Sequence, residues 1–280
     1  MRSRYVNCLG REIHVIEWGD PAAPPVIAWH GLARTGHDFD DFAAALSGRW
    51  HVVCPDTLGR GLSQWAVEPA REYCLEFYVE QAEALMDQLG LQKVHWVGTS
   101  MGGAIGTLGA ATRLRSRIKR LVLNDNGPEL AEPALARIKA YAGQPPSFAT
   151  VTELETYFRE IYASFGHLSD TQWRHLTEAS LRRLPDGRLT THYDPSMVDQ
   201  FDHHPDDYAL WPAWDQLDLP VLCLRGEDST LLTAETAQAM RERGPRAAVA
   251  VIPGCGHAPA LNTPEQIGLI ERFLSADQTP

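Results

Sequence analysis

The sequence predicts an α/β fold, a mostly parallel sheet covered by helices on both faces, on three observations. Short apolar, β-branched runs alternate with amphipathic stretches over most of the 280 residues. One such run, Lys93-Val94-His95-Trp96-Val97, enters Gly98-Thr99-Ser100-Met101-Gly102 and then the small-residue stretch Gly103-Ala104-Ile105-Gly106. That is a strand, a sharp turn and a helix, with a serine at the apex and glycines two residues to either side, where a Cβ would collide with neighbouring backbone. The alternation breaks only once, between Pro128 and about Pro212.

Taken in order, residues 2–8 and 11–18 read as a hairpin turning at Gly10-Arg11. A strand over Val26–Trp29, a helix over 38–47 and a strand over Val52–Cys54 follow. Leu75, Tyr78, Val79, Ala82, Leu85, Met86 and Leu89 recur at helical spacing and predict a helix over 73–89. Strands at 93–97 and 118–124 flank the helix that starts at Ser100. The pattern resumes with strands at 221–224 and 248–252 and helices at 234–243 and 264–274. The interruption is helical and rich in aromatic residues, with one hairpin signal at Leu184–Leu189 centred on Asp186-Gly187. These features divide the chain into a core, residues 1–127 and 213–280, and a helical cap, residues 128–212. An insertion after a sheet strand reads as a cover over the strands' C-terminal ends, where open α/β sheets bind ligands.

Composition narrows the partners. Hydrophobic content of 44% and charged content of 22% are ordinary for a soluble globular chain. A net charge of −11 argues against nucleic acid or anionic membrane as the main partner, since both need a basic face. No apolar run approaches a membrane span. No apolar core follows the basic start Met1–Asn7, so no signal peptide is expected. Cys8, Cys54, Cys74, Cys223 and Cys255 are scattered, without paired metal-ligand spacing. A reduced, cytoplasmic setting is expected, with a small molecule as partner and the chain a monomer or homodimer.

A serine hydroxyl at neutral pH is a weak nucleophile and needs an adjacent base. Among the eleven histidines, His257 alone combines a glycine-rich loop, Gly254-Cys255-Gly256-His257, with a place after the last strand. An oxyanion needs two converging donors. The Met101 N–H at the start of a helix and the Leu32 N–H after His30-Gly31 are the candidates.

The order His30-Gly31, Asp56-Thr57-Leu58-Gly59-Arg60-Gly61-Leu62-Ser63, Ser100 turn, insertion and His257 resembles the α/β-hydrolase family over nearly the whole chain. The resemblance implies acyl transfer through a covalent intermediate with no metal or organic cofactor. Ser100 would be the nucleophile, His257 the base, and Leu32 and Met101 the oxyanion donors. It also implies that Asp56 belongs to a structural turn. The family's acid usually stands three positions beyond a glycine after the strand at 221–225. Here Gly226-Glu227-Asp228-Ser229 puts a serine there and Asp228 one residue early. Some subfamilies instead draw the acid from the end of the preceding strand, where Asp125 stands. Both aspartates are carried. Arg34 is expected to pair with a protein carboxylate rather than with substrate. The leading expectation is hydrolysis of a small to medium, largely apolar carboxylic ester. A carbon–carbon or lactone hydrolase with the same triad, or a non-enzymatic ligand receptor on the same fold, is the alternative.

Overall fold

The computed structural model describes residues 1–130 and 132–276, with only the backbone of Glu132 and Pro133. Residue 131 of the expected cap and residues 277–280 of the expected core lie outside the described residues. The hairpin forms as β1 (Arg2–Cys8) and β2 (Arg11–Trp18). β3 (Pro25–Trp29), β4 (His51–Pro55), β5 (Val94–Thr99) and β6 (Ile118–Asn124) follow. β7 (Leu181–Arg183) and β8 (Leu189–Thr191) make a separate small sheet, and β9 (Val221–Gly226) and β10 (Ala248–Ile252) complete the main one. The main sheet has eight strands in the order β1-β2-β4-β3-β5-β6-β9-β10. β1 and β2 join antiparallel and the rest run parallel.

The central strands are continuous apolar runs because both of their faces are covered. Successive side chains point to opposite faces. Val26, Val52, Val97 and Val122 therefore pack with Phe42 and Leu46 of helix Asp40–Leu46 and with Ile270 and Leu274 of helix Pro264–Ser275. Ile27, Val53, Trp96 and Leu121 pack on the other side with helices Leu75–Gln88 and Met101–Ala111. Trp29 and Trp96 stack there with ring centroids 5.3 Å apart, an aromatic pair worth about 1 kcal/mol beyond its burial.

Two helices differ from the expected spans for identifiable reasons. The helix expected over 38–47 is a 3-10 turn, Gly36–Phe39, followed by Asp40–Leu46. Gly36 is pinned by its N–H to Asp56 Oδ1 at 2.7 Å, and a Cβ there would stand 2.7 Å from the Cys54 carbonyl oxygen. The helix expected from 73 starts at Leu75, where the Cys74 thiol accepts from the Phe77 N–H at the N-terminus. The expected hairpin at 184–189 is present, with strands β7 and β8 on either side and Gly187 at φ 88°.

Between β6 and β9 lie helices Glu132–Ala142, Val151–Ile161 and Asp170–Ala179. The last two begin with capping boxes, Thr150 with Glu153 and Ser169 with Gln172, which satisfy orphan amides at both helix starts. Leu154, Phe158, Tyr162, Trp173 and Leu189 form an apolar cluster of their own within this region.

Asp56 shows how the polar stretch after β4 holds the core. Its wholly buried carboxylate accepts from the N–H groups of Gly36 (2.7 Å) and Leu62 (2.9 Å) and from His14 Nδ1 (2.8 Å). Burial pushes this carboxyl up, but the His14 hydrogen bond, the backbone donors and the nearby histidines outweigh it and hold it below its ordinary range. Removing the carboxylate strands three buried donors, so Asp56→Ala is expected to lower stability by about 3 kcal/mol in urea unfolding. A loss below about 0.5 kcal/mol, typical of an exposed loop position, would contradict this account.

Candidate active site

The turn after β5 is built by close approach. Ser100 takes φ 51°, ψ −116°, a region that ordinary side chains avoid. A Cβ on Gly98 would stand 2.3 Å from the Gly102 backbone, and one on Gly102 would stand 2.0 Å from the Trp29 carbonyl oxygen. Only glycine fits at either place. The Ser100 N–H donates to Asn124 O at 3.1 Å, and Trp96 Nε1 donates to Gly102 O at 2.9 Å, so strand and helix grip the turn from both sides.

His257 reaches the serine from the loop after β10. Ser100 Oγ is 3.0 Å from His257 Nε2, and His257 Nδ1 is 2.7 Å from Asp125 Oδ2. A carboxylate accepts, so Nδ1 carries the proton and Nε2 is left to receive one from the serine. Asp125 sits just past β6 at φ 55°, wholly buried, and its other oxygen accepts the Gly226 N–H at 2.9 Å. Asp228 is not part of this group. It is exposed, its N–H goes to Cys255 O, and the loop brings the next residue inward instead. Ser229 Oγ lies 2.6 Å from Asp125 Oδ2.

The His30-Gly31-Leu32 turn lies against the serine, since a Cβ on Gly31 would stand 3.6 Å from Ser100 Cβ. His30 Nε2 accepts the Thr57 N–H at 2.9 Å, which puts the ring proton on Nδ1, 2.6 Å from the Gly31 carbonyl oxygen. That carbonyl and the Leu32 N–H belong to one trans peptide and point opposite ways, so holding the first aims the second. Arg60, fully buried between the rings of Tyr73 and Tyr78, donates to Leu32 O at 2.8 Å and lies 3.7 Å from the Met101 sulfur. The Met101 N–H is in the first helical turn, where amides have no intrahelical acceptor.

Ser100, His257 and Leu32 open on a cavity of about 730 Å³. The segment between β6 and β9 lines it with Ile138, Tyr141, Ile161, Tyr162, Leu168 and Leu176. Arg34 pairs with Asp38 and stacks 4.7 Å from the Tyr162 ring centroid. Trp29 is a core residue, and Trp65 is not among the residues lining the cavity. One group among the described residues offers three metal-ligand atoms, His37, Asp40 and His175. Both imidazoles lie 2.7 Å from Asp40 Oδ2, a hydrogen-bond separation, and they tie helix Asp170–Ala179 to the turn at Gly36–Phe39. The bond to Asp40 raises His175 above its ordinary range, partly offset by burial.

Sequence reasoning missed three supports of this site. Asn124 donates Nδ2 to Thr99 Oγ1 and to Pro259 O, linking the serine turn to the His257 loop. Arg60 looked like one polar residue among several in its stretch. Ser229 was visible only as a serine where a carboxylate was expected.

A family model described as alpha/beta hydrolase fold matches residues 24–264. The chain belongs to the α/β-hydrolase family. It is 42% identical over 269 residues to a 3-hydroxybutyrate-oligomer hydrolase of Cupriavidus necator, covering 92% of this chain and 91% of that one. A solved α/β hydrolase of Novosphingobium aromaticivorans superposes with TM-score 0.87 at 35% identity, covering 98% of both chains. A putative hydrolase of Rickettsia typhi gives TM-score 0.89 at 28% identity over 100% of this chain and 99% of that one. Among the described residues no helix is long and apolar enough to cross a membrane.

The buried His30 carries a testable signature. Desolvation lowers its pKa from 6.5 to about 4. Between those values the unfolded chain binds a proton that the folded one refuses, so stability is full above pH 6.5 and falls as pH drops through the window. Against a His30→Asn variant, the wild type is expected to lose about 2–3 kcal/mol of its relative stability between pH 7 and 4.5. A difference constant with pH in urea unfolding would refute a neutral, buried His30.

Proposed function

We propose that this chain is a serine hydrolase of carboxylic esters, with short oligoesters of 3-hydroxybutyrate as its substrate class. The observation that carries the reaction is the hydrogen-bonded chain Ser100–His257–Asp125 opening on a mostly apolar cavity. The substrate class rests on the 42% identity, over nearly full length, to a relative named for hydrolysing such oligomers. Residues 128–212 act in this reading as a cap that shapes the acyl and alcohol pockets over the core of residues 1–127 and 213–280. The cavity lies in the size range of small-ligand sites.

Ser100 Oγ adds to the ester carbonyl carbon while its proton passes to His257 Nε2. Asp125 holds the ring by Nδ1 and balances the imidazolium charge. The carbonyl oxygen, now negative, takes hydrogen bonds from the Leu32 and Met101 amides, each worth about 3 kcal/mol in the transition state. The carbon–oxygen bond breaks, and the departing hydroxyl of the next hydroxybutyrate unit takes the proton from His257. Water then enters, gives a proton to His257, attacks the acyl-enzyme carbonyl and frees the acid as the proton returns to Ser100.

Ser100→Ala is expected to abolish turnover of p-nitrophenyl butyrate, and Asp125→Asn to reduce kcat by about 10⁴. Asp228→Asn should stay within a few-fold of wild type. Comparable losses in the two aspartate variants would remove Asp125 from the assignment. With 3-hydroxybutyrate dimer and trimer as substrates, kcat/KM should exceed that for ethyl butyrate. No release of 3-hydroxybutyrate alongside good turnover of simple esters would reject the oligoester class and keep the esterase.

A further inference from the structure

We infer that Ser229 is the positioning residue for the triad acid, holding Asp125 Oδ2 where His257 Nδ1 meets it. The inference rests on the triad reading above. Ser229 is 7% exposed, in the loop after β9, and its Oγ is 2.6 Å from the same carboxylate oxygen that His257 approaches at 2.7 Å. Its lone pairs are already in use, since the amides of Leu231 (3.3 Å) and Leu232 (3.1 Å) donate to the hydroxyl oxygen. The Ser229 hydrogen has one direction left, toward Asp125. The carboxylate therefore stands between a fixed neutral donor and the imidazole, with Gly226 N–H on its second oxygen.

The arrangement answers a specific problem. Asp125 hangs from a residue at φ 55° beyond the end of its strand, so its χ angles decide whether an oxygen faces His257. Gly226 fixes one oxygen and Ser229 the other, which leaves the carboxylate no rotation. A hydrogen bond to a charged group is among the stronger ones. Ser229 is not among the residues lining the cavity and acts through Asp125.

The experiment compares kcat, KM and melting temperature for Ser229→Ala, Ser229→Thr and Asp125→Asn on p-nitrophenyl butyrate. Loss of one hydrogen bond to the charged acid should lower kcat roughly ten- to a hundred-fold in Ser229→Ala, with KM nearly unchanged. Ser229→Thr, which keeps the hydroxyl, should recover most of that loss. A loop-capping role alone would lower the melting temperature and leave kcat in place. Ser229→Ala within two-fold of wild-type kcat, beside an inactive Asp125→Asn, overturns the inference and leaves the triad standing. An active Asp125→Asn brings down the triad reading itself. Should Ser229→Ala fail to fold, Ser229→Cys, which keeps the shape but offers a weaker donor, is read in its place: kcat within two-fold of wild type overturns the inference, and a loss of about ten-fold or more at unchanged KM supports it.

Discussion

The site depends on one buried carboxylate that three loops share. Asp125 takes a backbone N–H from the end of β9, a hydroxyl from the loop after it and an imidazole N–H from the loop after β10. Its own N–H goes back to Leu224 O of β9 at 2.7 Å. Each bond crosses more than 90 residues of sequence, so the site forms only when β6, β9 and β10 have paired in register. The parallel pairing Asn124↔Leu224 sets Asp125 one residue beyond the last ladder position, where its side chain reaches the Gly226 N–H. A register slip of one residue would turn the carboxylate to the other face of the sheet.

The His30-Gly31-Leu32 turn is held by the same means, backbone groups fixed by buried polar side chains. His30 orients the Gly31–Leu32 peptide from one direction, and Arg60 takes the Leu32 carbonyl from the other. Burying a guanidinium is unfavourable unless its donors are met. Here carbonyls, the Tyr78 hydroxyl and two aromatic faces meet them. The result is a turn with little freedom to relax, which in the mechanism proposed above suits donors aimed at a charge that develops only during reaction. Thr57 joins the two halves, since it donates its N–H to His30 and accepts the Trp29 indole N–H at 2.8 Å.

Much of this was legible in the sequence because it follows from local rules. The β1–β2 hairpin, the parallel strands and the Ser100 turn are written in periodicity and in glycines that no other residue can replace. His257 was legible from its loop. The choice between Asp125 and Asp228 was not, because it depends on which of two loop residues the β6–β9 register turns inward. Spacing along the chain carries no record of that. Ser229 explains the difficulty: it occupies the position from which a carboxylate was expected and donates to Asp125, the carboxylate that meets His257. Arg60 and Asn124 were hidden for a related reason, as their partners, Leu32 and Pro259, lie 28 and 135 residues away.

The insertion that covers the sheet also bonds to the loop that carries His257. Ser164 Oγ donates to His257 O at 2.6 Å, its carbonyl accepts the Gly256 N–H at 2.7 Å, and Phe165 O accepts the Ala260 N–H at 3.1 Å. Ile161, Tyr162 and Phe165 beside these bonds line the cavity. One short segment, residues 161–165, therefore lines the cavity and anchors the loop that carries His257. Shifting it to admit a larger acyl group would also move His257 relative to Ser100, and a 1 Å misplacement at a reacting centre can lower rate by about 10². Specificity and rate are thus coupled through the backbone in the reading proposed here. Helix Asp170–Ala179 bonds to the turn around Asp40 and Asp41, and through Asp170 and Arg174 to Arg159 and Glu155 of helix Val151–Ile161. That helix is therefore tied to the one that leads into residues 161–165, so a change there is also felt at the loop carrying His257.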